Sequence, residues 1–298
     1  MRIAIIGLVA ALILASCGKS KKPDEQEFLN SLDSAKKGPS IDQEVINGIL
    51  QQIPSPLEIS VLLKQSGTRY SSSILNTPDN ISKYNSNYKK ALNLGIYGTD
   101  LGYTNIYQQN QDGIKYLASI KQLANELNIG QFFDIETISK LATNSKNLDS
   151  LLLITTQNFN SINSYLQTQG RSNLSVLLLT GGWIEAMQIT CQVAAKDPKN
   201  KELKEKIGEQ QIILEQIVLL FSFYKDDENM ASLLNDLTAL KGAFDKIKIT
   251  YVHKEPTSKI VNGVLMIEDH STTTIDVTDE DIKNITGLTD SIRNKIAS

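Results

Sequence analysis

Histidine and cysteine are nearly missing from this chain, with two of each among 298 residues. His253 and His270 leave no His-rich ligand set of the kind that zinc and copper centres use. They could meet across strands and take a metal only with help from Glu255 or Asp269. Two exposed loop histidines are the simpler reading, so the sequence carries no metal and no cofactor expectation. Cys17 and Cys191 exclude a multi-bridge disulfide framework. Proline is scarce, at seven residues, most of them before position 80. The chemical signatures are missing too: no G-x-x-x-x-G-K-[ST] phosphate loop, no H-E-x-x-H, no G-x-S-x-G elbow and no C-x-x-C pair. Basic and acidic side chains number 30 and 33. So slight an acidic excess gives no electrostatic case for nucleic acid or for anionic lipid.

What is present begins at the N-terminus. Arg2 supplies a positive charge, an apolar run follows from Ile3 to Leu14, and Ala15 and Ser16 are small. These are the three parts of a secretory signal, and the run is shorter than the roughly 20 apolar residues of a spanning helix. Leu14-Ala15-Ser16-Cys17 resembles the lipobox of bacterial lipoproteins, a resemblance confined to residues 1–17. It implies a diacylglyceryl thioether on Cys17, cleavage before that residue and acylation of the new amine. Several acyl chains hold a protein at a membrane where one does not. The residue after the cysteine is Gly18, and by the same resemblance the lack of aspartate there favours the outer membrane of a Gram-negative bacterium. With Cys17 committed to lipid, Cys191 has no disulfide partner.

The chain therefore divides into a signal peptide (1–16), a polar tether (17–39), a helical body (40–249) and a small α+β appendage (250–298). The expected fold is mainly α: an irregular antiparallel multi-helix bundle with a small C-terminal β-hairpin plus helix. Apolar residues recur at steps of three and four through most of the body. Helices are expected from Ser40, from Pro56, and from Asn80 with a stripe through Ile81, Tyr84, Tyr88, Ala91, Gly95, Thr99, Gly102 and Ile106. Gly98 and Gly102 weigh against helix there, at about 1 kcal/mol each. If the helix holds, the small residues Gly95, Thr99 and Gly102 let a neighbouring helix approach closely. Further helices are expected over Tyr116–Leu127, Ile135–Ala142 and Leu148–Leu166. The segment from Ser172 is apolar around most of its circumference, which marks a buried core helix. Glu185 and Gln188 interrupt it, against a membrane span. Helices from Lys201 and Met230 complete the body. Asn262-Gly263 between Lys259–Val261 and Val264–Ile267 reads as a two-residue hairpin turn. Thr272–Val277 adds a possible third strand, and Thr278 caps a final helix.

Candidate functional residues are few. Six of the ten tyrosines fall between Tyr84 and Tyr116. In a helix, Tyr97, Asp100, Tyr103 and Tyr107 share one broad face, the composition of a platform for a glycan or peptide. The alternative is that these rings fill a helix–helix boundary. Glu185, a carboxylate among apolar neighbours, is the candidate for a raised pKa, alongside Asp134 and Glu136. Two functional classes follow. One is a lipid-anchored cell-envelope protein with a non-enzymatic binding or structural role toward a partner protein or envelope glycan. The other is an envelope hydrolase using Asp/Glu acid–base chemistry, which requires Glu185 to line a pocket with a second carboxylate within about 10 Å.

Overall fold

A computed structural model describes residues 45, 48–49, 63–64, 67–134, 148–261, 264–268 and 270–298. The expected helices before residue 63 and over 135–142 fall largely or wholly outside these. Residues 41–298 form one compact unit, and it is mainly helical. Among the described residues its helices are α1 (Asn87–Ile106), α2 (Asn110–Glu126), α3 (Leu148–Thr168), α4 (Ser172–Lys196), α5 (Lys201–Ser222), α6 (Glu228–Phe244) and α7 (Asp279–Ala297).

The helix starts follow side-chain chemistry. Ser86, Asn200 and Asp227 each accept backbone N–H bonds from the first turn of α1, α5 and α6. Such caps satisfy donors that the helix itself leaves unpaired. Thr278 and Asp281 form a reciprocal capping box on α7. The long helix expected from Asn80 begins instead at Asn87. Thr77 caps a short 3-10 segment, Pro78–Lys83, and the chain is extended at Ser86 before α1 starts. From there α1 runs unbroken through Gly98 and Gly102.

Helix α4 is the centre of the bundle. It packs against α1, α3, α5 and α7, and 20 of its 25 residues are buried. That enclosure explains its apolar circumference: it is long and apolar enough to cross a membrane, but the body itself covers it. Its largest contact is with α1, and glycine makes that contact possible. A Cβ at Gly95 would strike the carbonyl oxygen of Leu178 and stand 2.7 Å from Gly182 N, and one at Gly181 would strike the carbonyl of Leu92. Thr99 Oγ1 donates to Gly182 O at 3.0 Å across the same crossing. The small face read from the sequence is thus where two backbones touch.

The strands form one interrupted ribbon. The chain leaves α6 through β1 (Lys248–Val252), continues as β2 (Thr257–Val261), and returns as β3 (Val264–Glu268) and β4 (Thr272–Asp276) into α7. β2 pairs with β3 as the hairpin reading expected, while β4 pairs antiparallel with β1 and does not add a third strand to the hairpin. Val252 pairs with Thr272 and Thr257 with Glu268, so the outgoing strand spends one more residue than the return strand between the two ladders. The base of the ribbon lies on α5, where Ile275 and Val277 would meet a Cβ at Gly208 at 2.7 and 2.8 Å. The final helix belongs to the bundle: α7 packs on α4 and α6, with Ile285 and Thr289 fully buried.

Two substitutions on α1 separate helix propensity from packing. Gly98 has open space around it, so Gly98→Ala should raise stability by about 0.5–1 kcal/mol. Gly95→Ala gains the same propensity but drives a methyl into the α4 backbone, and should lower stability by about 1–3 kcal/mol. Urea unfolding of the two variants should give shifts of opposite sign.

Candidate functional site

The chain's unusual chemistry converges where α1, α4 and α7 meet. Glu185 on α4 and Asp100 on α1 are both fully buried. Arg293 on α7 donates from Nε to Glu185 Oε2 at 2.9 Å and from Nη2 to Oε1 at 3.0 Å. This two-pronged contact uses the planar fork that arginine has and lysine lacks. Burial works against the Arg293 charge, but the hydrogen bonds and negative charge of Glu185 outweigh it and hold the guanidinium protonated.

Asp100 is the perturbed carboxyl. Its pKa is pushed well above the ordinary 3.8, first by burial, then by the charge of Glu185 and a hydrogen bond to it, against the opposing pull of Arg293 and of Asn76 N–H. Two carboxyl groups can share a hydrogen bond only if one keeps its proton, and Asp100 is that one. Asp100 Oδ1 is buried without a hydrogen-bond partner among the described residues. A raised pKa at Asp100 lessens the negative charge that Arg293 has to match beside Glu185.

Asn76 ties this cluster to the rest of the interior. Its N–H donates to Asp100 Oδ2 at 3.2 Å and its side-chain amide to Tyr84 Oη and Asn93 Oδ1. Its own oxygens accept from Asn80 Nδ2 and from Tyr116 Oη, both at 2.9 Å. Asn93 in turn donates to Ile296 O at 3.1 Å, which links α1 to the end of α7.

The tyrosines follow the same logic. Tyr97 and Tyr103 are fully buried beside Asp100, and Tyr107 is half-buried, so the face made by these four residues does not lie open to solvent. The rings form two groups: Tyr84, Tyr97 and Tyr116 with centroids 5.8 and 6.1 Å apart, and Tyr70, Tyr103 and Tyr107 at 4.8 to 6.0 Å. Their polar tips reach the irregular segment that precedes α1. Tyr97 Oη donates to Thr77 O at 3.0 Å, and Tyr103 Oη accepts from Ser71 N at 3.3 Å. Leu75 and Asn76 are the buried residues of this segment, and the tyrosine hydroxyls pair with backbone groups of Ser71, Asn76 and Thr77 around them. The partners of this face in the structure are the chain's own residues 71–78.

The other candidates lie elsewhere. Cys191 is buried, and burial raises its thiol to about 12, which suits a core residue and not a nucleophile. His253 and His270 are exposed and bond to Ser271 and Thr257. Among the described residues no His, Cys, Asp and Glu cluster could hold a metal ion. Asp134 is exposed, and Glu136 lies outside the described residues. Cys17 lies outside them as well.

Arg293 and Asn76 were not singled out from the sequence. One signal pointed to Arg293: the chain uses four arginines among its 30 basic residues, so arginine is the exception in a lysine-rich protein. It is kept here where a forked donor is required. Asn76 carried no such signal, since Asn before Thr-Pro reads as an ordinary turn.

The chain matches no family model, and no curated protein or solved structure is similar to it. The reading of the cluster rests on its own chemistry.

Asp100 keeps its proton in the folded chain at pH values where the unfolded chain has lost it. The folded state therefore binds more protons above pH 3.8, and stability falls as pH rises from that value through the folded pKa of Asp100. Asp100→Asn keeps an N–H toward Glu185 and an oxygen toward Asn76. Its unfolding free energy should lose this fall and exceed that of the parent chain at pH 8. Arg293→Met strands Glu185 and should cost about 3–5 kcal/mol, whereas Glu185→Met combined with Arg293→Met should cost much less than Arg293→Met alone. Chemical denaturation across pH 4–8 measures both effects.

Proposed function

We propose that this chain is a lipid-anchored cell-envelope protein with a non-enzymatic binding or structural role, attached through Cys17 to the outer membrane of a Gram-negative bacterium. The observation that carries the non-enzymatic part is the state of Glu185. It is fully enclosed by α4 and its neighbours, and both of its oxygens are held by Arg293. An acid–base pair for glycoside hydrolysis needs two carboxyl groups reaching a substrate in a cleft. Asp100 and Glu185 instead face each other and an arginine in the interior. The hydrolase alternative loses its leading residue.

The anchoring part rests on residues 1–17. Helix α4, the described helix that is long and apolar enough to span a bilayer, has its apolar surface taken up by α1, α3, α5 and α7. Its burial within the body is consistent with anchoring through the N-terminal cysteine instead of through this helix. A helical body whose buried Glu185 is matched inside the protein leaves its outer surface for a partner protein or an envelope glycan.

Cells expressing the full chain and Cys17→Ala, grown with an alkyne-tagged fatty acid, test the anchor. The parent chain should carry the label and sediment with outer membranes. Cys17→Ala should lose the label and leave the membrane fraction; a variant that stays membrane-bound would overturn the assignment.

A further inference from the structure

The ribbon is held by the bundle at one end. Ile249, Ile275 and Val277 at its base pack against the core, and β4 lies on α5. Further out, β2 and β3 have each other as sole substantial neighbour among the described elements. The direction of this outer hairpin is therefore set where the two ladders join. The join lies between the Val252–Thr272 pair of the base and the Thr257–Glu268 pair of the hairpin.

Both histidines of the chain fall in this join, and each bonds across it. His270 Nε2 is 2.7 Å from Thr257 Oγ1, and His253 Nδ1 is 3.4 Å from Ser271 Oγ. Ser271 Oγ also accepts from Lys254 N at 3.2 Å and stands 3.4 Å from Lys254 O. Side chains thus take over where strand pairing stops.

The number of these bonds depends on charge. The Ser271 hydroxyl has one proton, which either His253 Nδ1 or Lys254 O can accept. Neutral His253 has one N–H. It can donate to Ser271 from Nδ1 or face Glu255 from Nε2, 3.9 Å from Oε1, but not both. The imidazolium donates from both nitrogens, which frees the serine proton for Lys254 O. The Tyr251 ring lies against that of His253, with centroids 6.4 Å apart. The charged residues of the join are Lys254 and Glu255 on the outgoing side and Asp269 beside His270 in sequence, with Lys259 and Glu268 following on β2 and β3. Two carboxylates against one lysine favour the first proton taken up there. Imidazole is the side chain that changes charge between about pH 5 and 8.

From this arrangement we propose that the join is a proton-sensitive hinge. Protonation of His253 and His270 fixes the outer hairpin on its base, and loss of those protons lets it swing. The proposal goes beyond the binding role and is independent of the lipid at Cys17.

Amide nitrogen relaxation on the full chain in detergent micelles reads the hinge directly. Order parameters within β2 and β3 should be about 0.85 at pH 5.5, as in β1 and β4, and should fall below about 0.6 at pH 8. Those of α4 should not change. His253→Gln combined with His270→Gln should abolish the difference between the two pH values. Glu255→Gln keeps both histidines and should lose part of the ordering at pH 5.5. Equal order at both pH values, a difference that survives the double histidine substitution, or a Glu255→Gln chain as ordered as the parent at pH 5.5 would overturn the proposal.

Discussion

A carboxylate taken out of water must be matched where it lies, and most of this interior is arranged around that requirement at Glu185. Arg293 supplies the charge and both hydrogen bonds. Asp100, pressed against the same carboxylate, adapts by keeping its proton. One cation therefore serves two acids, and the protein avoids a second buried positive group. The three residues come from α1, α4 and α7, so their pairing fixes the mutual position of helices far apart in sequence. Packing alone tolerates slippage between apolar helices; a forked ion pair tolerates almost none.

Around this cluster the fold uses two kinds of close fit. At the α1–α4 crossing, side chains are removed so that backbones meet, with Thr99 bonding to the carbonyl of Gly182. Beside it, large side chains are gathered under the segment that precedes α1, burying Leu75 and Asn76. Tyr97, Tyr103 and Tyr116 give both the apolar area and the hydroxyls that segment 71–78 needs. The first device lies on one face of α1 and the second on another, which is why so much of that helix is enclosed.

Periodicity and composition carried the architecture well. The apolar circumference of α4, the small stripe on α1, the Thr278 start and the pairing of β2 with β3 are local patterns with local causes. The limits were equally physical. The start of α1 lies at Ser86 because Thr77 caps a short 3-10 turn over Pro78–Lys83 first, and the chain is extended before the helix begins. The return strand pairs with β1 because the ribbon is long, and pairing over that distance leaves no local signature. Glu185 stood out as an acid among apolar residues, but its partner lay in another helix, and Asp100 hid inside a tyrosine face that resembled a binding platform. A platform for an external peptide and one for the chain's own residues have the same composition; only the fold distinguishes them.

The separation of Glu185 from Arg293 has a further meaning when the chain is considered in time. The two lie 108 residues apart, and the arginine is near the end of the final helix. A chain made from its N-terminus holds α1 and α4 complete, carboxyl groups included, long before the cation that lets them close together exists. Until α7 arrives, closing that interface would bury an unmatched negative charge. Closing the α1–α4 interface in its final form therefore draws on a residue of α7, so the core is completed only when all three helices are present.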